Sequence, residues 1–157
     1  MISKTEAQKL VLSWQNNGHK VVFTNGCFDI LHRGHIKYLQ EAKAEGDKLI
    51  IGLNSDESVR RLKGKHRPIQ SVENRVAILD AFACVDAVVE FTEDTPAELI
   101  AALQPDVLVK GGDYTEDEIV GGDTVLSNGG EVKIIPLVEG ASTSNIISRI
   151  LSSKSLD

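Results

Sequence analysis

The sequence has few cysteines and few aromatic residues, and it contains no long apolar run. Its two cysteines, Cys27 and Cys84, have no His or Cys at zinc-ligand spacing, which excludes a disulfide framework and a structural zinc site. No apolar stretch approaches the ~20 residues of a membrane-spanning helix. The N-terminal residues also lack the basic start and apolar stretch of a secretory signal, so we expect a cytoplasmic protein with reduced thiols.

The net charge excludes a second group of functions. With 17 Lys+Arg against 23 Asp+Glu the formal charge is −6, so nucleic acid or an anionic membrane surface would be repelled. Residues 60 to 67 depart from this average, because they hold five basic residues and no acidic one. Two interpretations of this basic segment stay open: a solvated surface run, or a flap that covers a small, highly charged anion.

Five short apolar runs, rich in β-branched residues, have the pattern of strands that are buried on both faces of a sheet. They span residues 20–24, 48–53, 87–91, 107–110 and 132–135. No repeat or linker separates them, and a chain of 157 residues can bury a core of its own. We therefore expect one domain over residues 1–151, followed by a polar tail, 152–157.

Helical patterns lie between most of these strands. The predicted helices run from the capping box of Ser3 and Glu6 to about Asn17, from 35 to 45, from 74 to 83, and onward from a Thr95 cap with Pro96 in the first turn. This alternation predicts an α/β fold, a Rossmann-like doubly wound five-stranded parallel sheet with helices on both faces. Such sheets bind ligands beyond the carboxyl ends of their strands.

Two histidines follow the first strand. His32 and His35 lie three residues apart at the start of a helix, where both imidazoles can face one point beside free backbone N–H groups. Gly34 removes a side chain between them, and Asn25 and Asp29 are small polar residues that can hold the turn. This arrangement favours a phosphate site. A metal-binding pair and two unrelated surface histidines are the alternatives.

Two motifs carry a family resemblance. Residues 28–35, Phe-Asp-Ile-Leu-His-Arg-Gly-His, resemble the HxGH signature of the nucleotidyltransferase superfamily, which includes the cytidylyltransferases and pantetheine-phosphate adenylyltransferase. Residues 140–146 resemble the Gly-x-Ser-Thr-Thr-x-Ile segment that opens the last helix of cytidylyltransferase-like members, with Ser144 in place of the second threonine. Capping of that helix by Ser142 is the plainer interpretation. Arg149 stands two residues after the position at which some adenylyltransferases carry an arginine.

Further segments extend the resemblance over residues 20 to 151: 54–56, 62–64, 67–69, 73–75, 85–86, 93–96, 105–114 and 128–132. They follow in the order seen in the heptose 1-phosphate adenylyltransferases of ADP-heptose synthesis. The resemblance implies adenylyl transfer from ATP to D-glycero-β-D-manno-heptose 1-phosphate, giving ADP-heptose and pyrophosphate. It implies Mg²⁺ on the phosphates rather than on protein side chains, and a homodimer. Many bacteria fuse this activity to a sugar kinase, but 157 residues leave no room for one, so a separate heptose kinase is expected.

The resemblance also assigns roles to particular residues. It implies that His32 and His35 contact the phosphate chain and that Lys63 covers it from the basic segment. The residues implied to form the nucleotide pocket are Thr24, Asn25, Gly26, Phe28, Asp29, Gly34, Ser142, Thr143 and Ser144. The residues implied to bind the sugar phosphate are Arg75, Lys110, Gly111, Gly112 and Asp113. A plain surface arginine is the alternative for Arg75, and Arg60, Arg61 and Lys65 are expected to be solvated.

The nucleotide and the acceptor stay open on the residues alone, because backbone groups that read adenine leave no side-chain signature. A cytidylyltransferase for glycerol 3-phosphate or another polyol phosphate and an FMN adenylyltransferase are alternatives within the same chemistry. A catalytically silent nucleotide-binding module is the alternative outside it. Dinucleotide and P-loop patterns are absent from the sequence.

Overall fold

The five predicted strands form one sheet in which all paired neighbours are parallel. The computed structural model of the chain describes residues 1–112, 114–138 and 140–153. The strands are β1 (Val21–Gly26), β2 (Lys48–Asn54), β3 (Ala87–Phe91), β4 (Val107–Gly111) and β5 (Glu131–Ile135). Their order is β3-β2-β1-β4-β5, which confirms the predicted doubly wound parallel sheet.

Helices connect the strands. Over the described residues they are α1 (Lys4–Asn16), α2 (Arg33–Ala44), α3 (Asp56–Lys63), α4 (Val72–Asp80), α5 (Ala97–Leu103), α6 (Gly122–Ser127) and α7 (Thr143–Ser153). Ser3 caps α1 through the predicted capping box with Glu6. The sequence patterns missed α3 and α6. None of the described helices is both long enough and apolar enough to cross a membrane.

Several helix ends differ from the predicted ones. Helix α2 begins at Arg33, so His35 lies inside its first turn rather than at its start. Helix α4 begins at Val72 and ends at Asp80, earlier than the predicted 74–83. The predicted capping role of Thr95 is wrong, because Pro96 is the N-cap of α5 and no side chain caps that helix. A proline already holds the backbone angle that suits a helix start, so the helix begins there without a cap.

The C-terminal helix also extends past its predicted end. Helix α7 runs to Ser153, so Ser152 and Ser153 are helical although the sequence placed them in a polar tail. Residues 154–157 of that tail lie outside the described residues.

Successive side chains along the strands point to opposite faces of the sheet, where they pack into two separate hydrophobic cores. Phe23 and Ile50 pack with residues of α1, α5 and α6 on one face of the sheet, whereas Val22 and Ile51 pack with α2 and α4 on the other. All four side chains are fully buried. Burial of an apolar side chain of this size stabilises the fold by about 1.5–3 kcal/mol. The strands therefore form a rigid frame that holds the loops at their carboxyl ends.

The sheet opens between its two central strands. Strand β1 pairs with β2 over its whole length, from Val21 to Gly26, but it pairs with β4 only at Val22 and Phe23. Beyond those pairs the carboxyl ends of β1 and β4 separate. The strand order reverses at the same place, and parallel sheets commonly bind ligands at this switch point.

Candidate active site

The two histidines are held by the backbone of their own helix. His32 is the N-cap of α2, and its Nδ1 accepts a hydrogen bond from the backbone N–H of Gly34 at 3.1 Å. The Nδ1 of His35 accepts from the backbone N–H of His32 at 3.3 Å. The centroids of the two rings lie 3.9 Å apart. The predicted convergence of the imidazoles is therefore present, in the form of a reciprocal cap.

This geometry determines which ring nitrogen carries the proton. Since each Nδ1 accepts a backbone N–H, its lone pair is in use and the proton of the neutral ring lies on Nε2. Burial, together with the neighbouring His32, lowers the pKa of His35 to about 4. Burial also lowers the pKa of His32. At pH 7 both rings are neutral, and each presents an Nε2–H donor that suits a phosphate oxygen.

Glycine is required at two positions around this pair. A Cβ on Gly34 would lie 2.9 Å from ring atoms of His32 and 3.1 Å from the Cβ of Ala141. The missing side chain thus makes room for the histidine and for the C-terminal segment. A Cβ on Gly26 would lie 2.9 Å from the ring of Phe28, whose own φ of 45° is rare outside glycine.

A cleft of about 660 Å³ lies where β1 and β4 separate. The residues of the sequence prediction that line it are Asn25, Gly26, Phe28, Asp29, His35, Lys63, Lys110, Gly111, Thr143 and Ser144. A side lobe of about 410 Å³ adds His32, Gly34 and Ser142. The fold therefore brings most of the predicted site together.

Thr24 and Gly112 lie apart from the lining of this cleft. Thr24 is fully buried, and its hydroxyl lies 2.6 Å from that of Tyr38 beneath the cleft, so the prediction that Thr24 forms part of the nucleotide pocket is wrong. Gly112 has a φ of 133° and packs against the ring of Tyr114. Asp113, the last residue of the predicted sugar-phosphate set, lies outside the described residues.

The serine and threonine motif joins the C-terminal helix to the signature loop. The Oγ of Ser142 accepts a hydrogen bond from the backbone N–H of Asn145 at 3.0 Å, so Ser142 caps α7, as its plainer interpretation held. The hydroxyl of Thr143 donates to the carbonyl of Ile30 at 3.1 Å. Ser144 is exposed and lines the cleft. Of the three hydroxyls, that of Ser144 is the one without an assigned structural partner among the described residues.

Asp29 ties two loops together. Its carboxylate is buried and accepts from the backbone N–H groups of Ile69 and Gln70, at 2.8 and 2.9 Å, and from Nε of Arg67 at 2.5 Å. Burial opposes ionisation, but these hydrogen bonds outweigh it, and the pKa of Asp29 lies below its ordinary value. Its oxygens are therefore occupied by the protein, and Asp29 holds the turn rather than the nucleotide.

Arg75 joins a third segment to this assembly. Its guanidinium is fully buried and donates to the carbonyls of Cys27 at 2.6 Å and Gln70 at 3.1 Å, and to the carboxylate of Asp56 at 2.7 Å. Both sequence interpretations of Arg75 are wrong, because it is neither on the surface nor in the lining of the cleft. It fixes the loops that form one wall of the cleft.

The cations of the basic segment, residues 60–67, differ in their contacts. Arg61 donates to Asp94 at 2.6 Å and to the carbonyl of Thr92, so the expectation that it is simply solvated is wrong. Lys63 ends α3 and lines the cleft, and Gly64 follows it with a φ of 95°, which favours glycine. Neither Lys63 nor Lys110 has a carboxylate within salt-bridge distance among the described side chains. Two unpaired lysines thus face the same space.

Burial lowers the pKa of Lys110, whose Nζ lies 3.5 Å from the Oδ1 of Asn25. The ammonium group of Lys110 therefore lies beside the carboxyl end of β1, in the cleft that His35 also lines. A phosphate that binds there would be a negatively charged partner for the ammonium group of Lys110.

Sequence reasoning missed several residues that line the cleft. Asn54 ends β2, and Thr95 and Pro96 follow β3, so the rule that ligands bind beyond strand ends would have found them. Tyr114 also lines the cleft, and no local pattern in the sequence indicates this role.

Comparison with known proteins identifies the family. The family model described as Cytidylyltransferase-like matches residues 23–149. The chain belongs to the cytidylyltransferase-like family. This confirms the resemblance of the signature loop, and it makes the chain a nucleotidyltransferase.

Relatives within the cytidylyltransferase-like family extend the match to the whole chain. The "Bifunctional protein HldE" of Wolinella succinogenes is 56% identical over 153 residues, which cover 98% of this chain and 31% of that protein. The protein of the same name from Haemophilus influenzae is 52% identical, over 96% of this chain and 32% of that protein. The chain thus spans about a third of the length of these relatives.

A solved structure supports the same fold. The lipopolysaccharide core biosynthesis protein from Thermoplasma volcanium is 31% identical, with a TM-score of 0.64, and the match covers 79% of this chain and 100% of that one. The Rossmann-like α/β architecture of this family member is therefore shared with a protein of known structure.

Proposed function

We propose that this chain transfers the adenylyl group of ATP to D-glycero-β-D-manno-heptose 1-phosphate, with ADP-heptose and pyrophosphate as products. The observation that carries the chemistry is the pair of neutral imidazoles at the start of α2, which face a cleft lined by Lys63 and Lys110. The choice of acceptor is supported by the similarity to HldE proteins and to a lipopolysaccharide core biosynthesis protein.

The proposed reaction needs no general base. The second pKa of a phosphate monoester is about 6, so the attacking oxygen of the sugar phosphate is already largely ionised at pH 7. That oxygen forms a bond to the α-phosphorus of ATP. The bond from the α-phosphorus to the bridging oxygen breaks, and its electron pair leaves with pyrophosphate. Catalysis then consists of holding the two phosphates in line and stabilising the charge that develops.

The residues divide this work between them. The Nε2–H groups of His32 and His35 donate to oxygens of the phosphate that is transferred. Lys63 covers the phosphate chain from the end of α3, and Lys110 holds the phosphate of the acceptor. Because the imidazoles are neutral and fixed by backbone hydrogen bonds, they need no reorganisation when charge builds up.

Mg²⁺ is proposed to bind oxygens of ATP and to neutralise part of their charge. Among the described residues no group of three or more His, Cys, Asp and Glu side chains could hold a metal ion. Mg²⁺ commonly binds through substrate phosphates and water, so a side-chain cage is not required for this role.

Pyrophosphate release is the experiment that tests the proposal. ATP, CTP and GTP are each combined with heptose 1-phosphate of either anomer and with glycerol 3-phosphate, in the presence of Mg²⁺. Release only with ATP and the β-anomer supports the proposed reaction. Release with CTP and glycerol 3-phosphate would replace it by a cytidylyltransferase. Nucleotide binding without release from any pair would indicate a silent module.

The location of the protein, its oligomeric state and the source of its substrate are further parts of the proposal. We propose a cytoplasmic homodimer whose sugar phosphate substrate is supplied by a heptose kinase. Asp86, in one of the segments that carry the resemblance, makes its contacts within the chain, with Lys43, Lys48 and the backbone N–H of Leu49. Light scattering measures the oligomeric state directly.

A further inference from the structure

Two buried polar side chains belong to the lining of the cleft, and they differ in what the protein does with their oxygens. They are Asp29, which is 2% exposed, and Asn54, the last residue of β2, which is 3% exposed. The carboxylate oxygens of Asp29 accept hydrogen bonds from Arg67 and from two backbone N–H groups. Asn54 is therefore the buried, uncharged polar side chain of this lining.

The orientation of the Asn54 amide follows from its hydrogen bonds. The hydroxyl of Ser58 donates to the backbone carbonyl of Glu93 at 3.0 Å, because a carbonyl can only accept. The oxygen of the same hydroxyl then accepts from Nδ2 of Asn54 at 2.9 Å. The NH2 end of the amide is thus held against α3, and Oδ1 points away from Ser58.

The Oδ1 atom of Asn54 has a weak partner on the other side. The structure places the Sγ of Cys27 at 4.0 Å from this oxygen, which is long for a hydrogen bond, and a thiol is a weak donor. Burial raises the pKa of Cys27, so the thiol stays neutral at pH 7. An amide oxygen has two lone pairs, so Asn54 keeps acceptor capacity for a ligand in the cleft.

The ligand group that suits this oxygen is a neutral hydrogen-bond donor. The phosphate groups of both substrates are negatively charged at pH 7 and offer acceptor oxygens, which an amide oxygen does not bind. A hydroxyl group, in contrast, has a proton to donate. Asn54 therefore suits the part of a substrate that lies beyond its phosphate.

The position of Asn54 favours the acceptor over the nucleotide. Both imidazoles line the side lobe, whereas within the described residues Asn54 belongs to the lining of the main cleft and not of this lobe. Lys63 and Lys110 line both spaces. Strand β2, which ends at Asn54, lies on the opposite side of β1 from β4 and β5. A sugar whose phosphate is held at Lys110 would thus reach Asn54 by extending away from the histidine pair.

We propose that Asn54 determines acceptor specificity, with its Oδ1 accepting a hydrogen bond from a hydroxyl group of the acceptor sugar and Ser58 acting as the positioning residue behind it. The inference rests on the proposed function and deepens it, because it assigns recognition of a polyhydroxylated phosphate to one atom. A site that buries an acceptor atom for a substrate hydroxyl discriminates against an analogue without that hydroxyl, since the atom is then left unpaired.

Monodeoxy analogues of the sugar 1-phosphate, each lacking one hydroxyl, test the contact in pyrophosphate release assays. With the wild type, one analogue should lose about 10- to 100-fold in kcat/KM, the scale of an unpaired buried acceptor. With Asn54→Ala the parent substrate should lose about as much. The same analogue should then lose less than about twofold further, because the oxygen that its hydroxyl would contact is gone. An equal penalty for every analogue in both proteins would overturn the proposal.

The kinetic constants separate the acceptor from the nucleotide. Asn54→Ala should raise the KM for the sugar phosphate and leave the KM for ATP within about twofold of the wild type. Ser58→Ala should raise the KM for the sugar phosphate about 3- to 10-fold, the scale of one neutral hydrogen bond, because the amide loses the partner that orients it. A rise confined to the KM for ATP would overturn the proposal and assign Asn54 to the nucleotide.

A control variant and a fold check accompany these assays. Asn128→Ala is the control, because Asn128 is exposed at the end of α6 and is not part of the described lining of the cleft or its lobe. It should leave both KM values within about twofold. Circular dichroism and the melting temperature show whether the variants are folded. If Asn54→Ala is unfolded, Ser58→Ala and the wild-type analogue series decide, and a wild type indifferent to every hydroxyl overturns the proposal.

The proposed function and the role of Asn54 can fail separately. If the wild type uses glycerol 3-phosphate instead of the heptose phosphate, the proposed function is wrong, and the same comparison with a deoxy analogue of that acceptor decides the role of Asn54. If the wild type uses the heptose phosphate and Asn54→Ala discriminates among the analogues as the wild type does, the role of Asn54 alone is wrong. If no acceptor reacts, both are wrong.

Discussion

Arg75→Met removes the guanidinium that joins three segments around the cleft. The substitution keeps a flexible apolar side chain in the space and deletes three hydrogen bonds, to the carbonyls of Cys27 and Gln70 and to the carboxylate of Asp56. Each buried carbonyl that loses its donor costs about 1–3 kcal/mol. The side chain of Asp56 is 26% exposed and can turn to water, so its loss adds less.

The expected loss of unfolding free energy is about 3–5 kcal/mol, from two buried carbonyls that lose their donor and a smaller contribution from Asp56. Urea denaturation followed by circular dichroism measures it. With a slope of about 2 kcal/mol per molar, the midpoint falls by about 1.5–2.5 M. Arg60→Met is the matched control, since Arg60 is exposed and has no ion-pair partner among the described side chains. It should change stability by less than about 0.5 kcal/mol.

A loss below about 1 kcal/mol for Arg75→Met would refute this account, because it would show that the carbonyls find other donors or never depended on the guanidinium. A large loss of unfolding free energy in both Arg75→Met and Arg60→Met would indicate an effect of net charge instead of the buried contacts.

Further substitutions test the cleft and the loop that forms it. His35→Ala should leave the fold intact and lower kcat at least ~100-fold, the scale of one lost transition-state donor, and near-normal turnover in steady-state assays would contradict its role. Lys63→Ala should lower kcat more than Lys65→Ala, because Lys63 lines the cleft and Lys65 does not, and the reverse order of kcat values would contradict this. The folded pKa of His35, about 4, lies below its ordinary 6.5, so the unfolded chain binds more protons between these values. The unfolding free energy should therefore fall as the pH drops from 6.5 to 4. In His35→Gln this fall should be smaller, because up to about one fewer proton is taken up on unfolding. Asp29→Asn should destabilise the fold by about 2–3 kcal/mol, because an amide cannot accept all the bonds that Asp29 receives, and an unchanged urea midpoint would contradict it.

The strands were predictable because their signal is local. A run such as residues 48–53 is apolar at successive positions, and only a strand covered on both faces can bury all of them. The signature loop was predictable for a similar reason, since His32, Gly34 and His35 make their decisive contacts within four residues of chain. The order of the strands has no such local signal, because it depends on which crossover packs on which face.

Helix α3 was missed because its charge conceals its pattern. Ser58 and Val59 are buried on one side of the helix. However, α3 has only eight residues, and the basic side chains of its last turn give this stretch of sequence the pattern of a solvated loop. Arg75 was misjudged for a different reason. Its acceptors come from positions 5, 19 and 48 residues away, and nothing near Arg75 in the sequence indicates that three loops converge there. A buried arginine is recognised only once the tertiary contacts are known.

In the reciprocal cap at the start of α2, the imidazoles proposed to bind phosphate are oriented by hydrogen bonds within their own loop. The backbone N–H groups of His32 and Gly34 supply the hydrogen bonds that orient them, and the ring of Phe28 contacts His35 with its centroid 5.5 Å away. The histidine pair would therefore keep these hydrogen bonds if the loop after β3 were exchanged to alter the acceptor. The segment after β2 has to stay, because it carries Lys63 and the backbone N–H groups of Ile69 and Gln70 that hold Asp29.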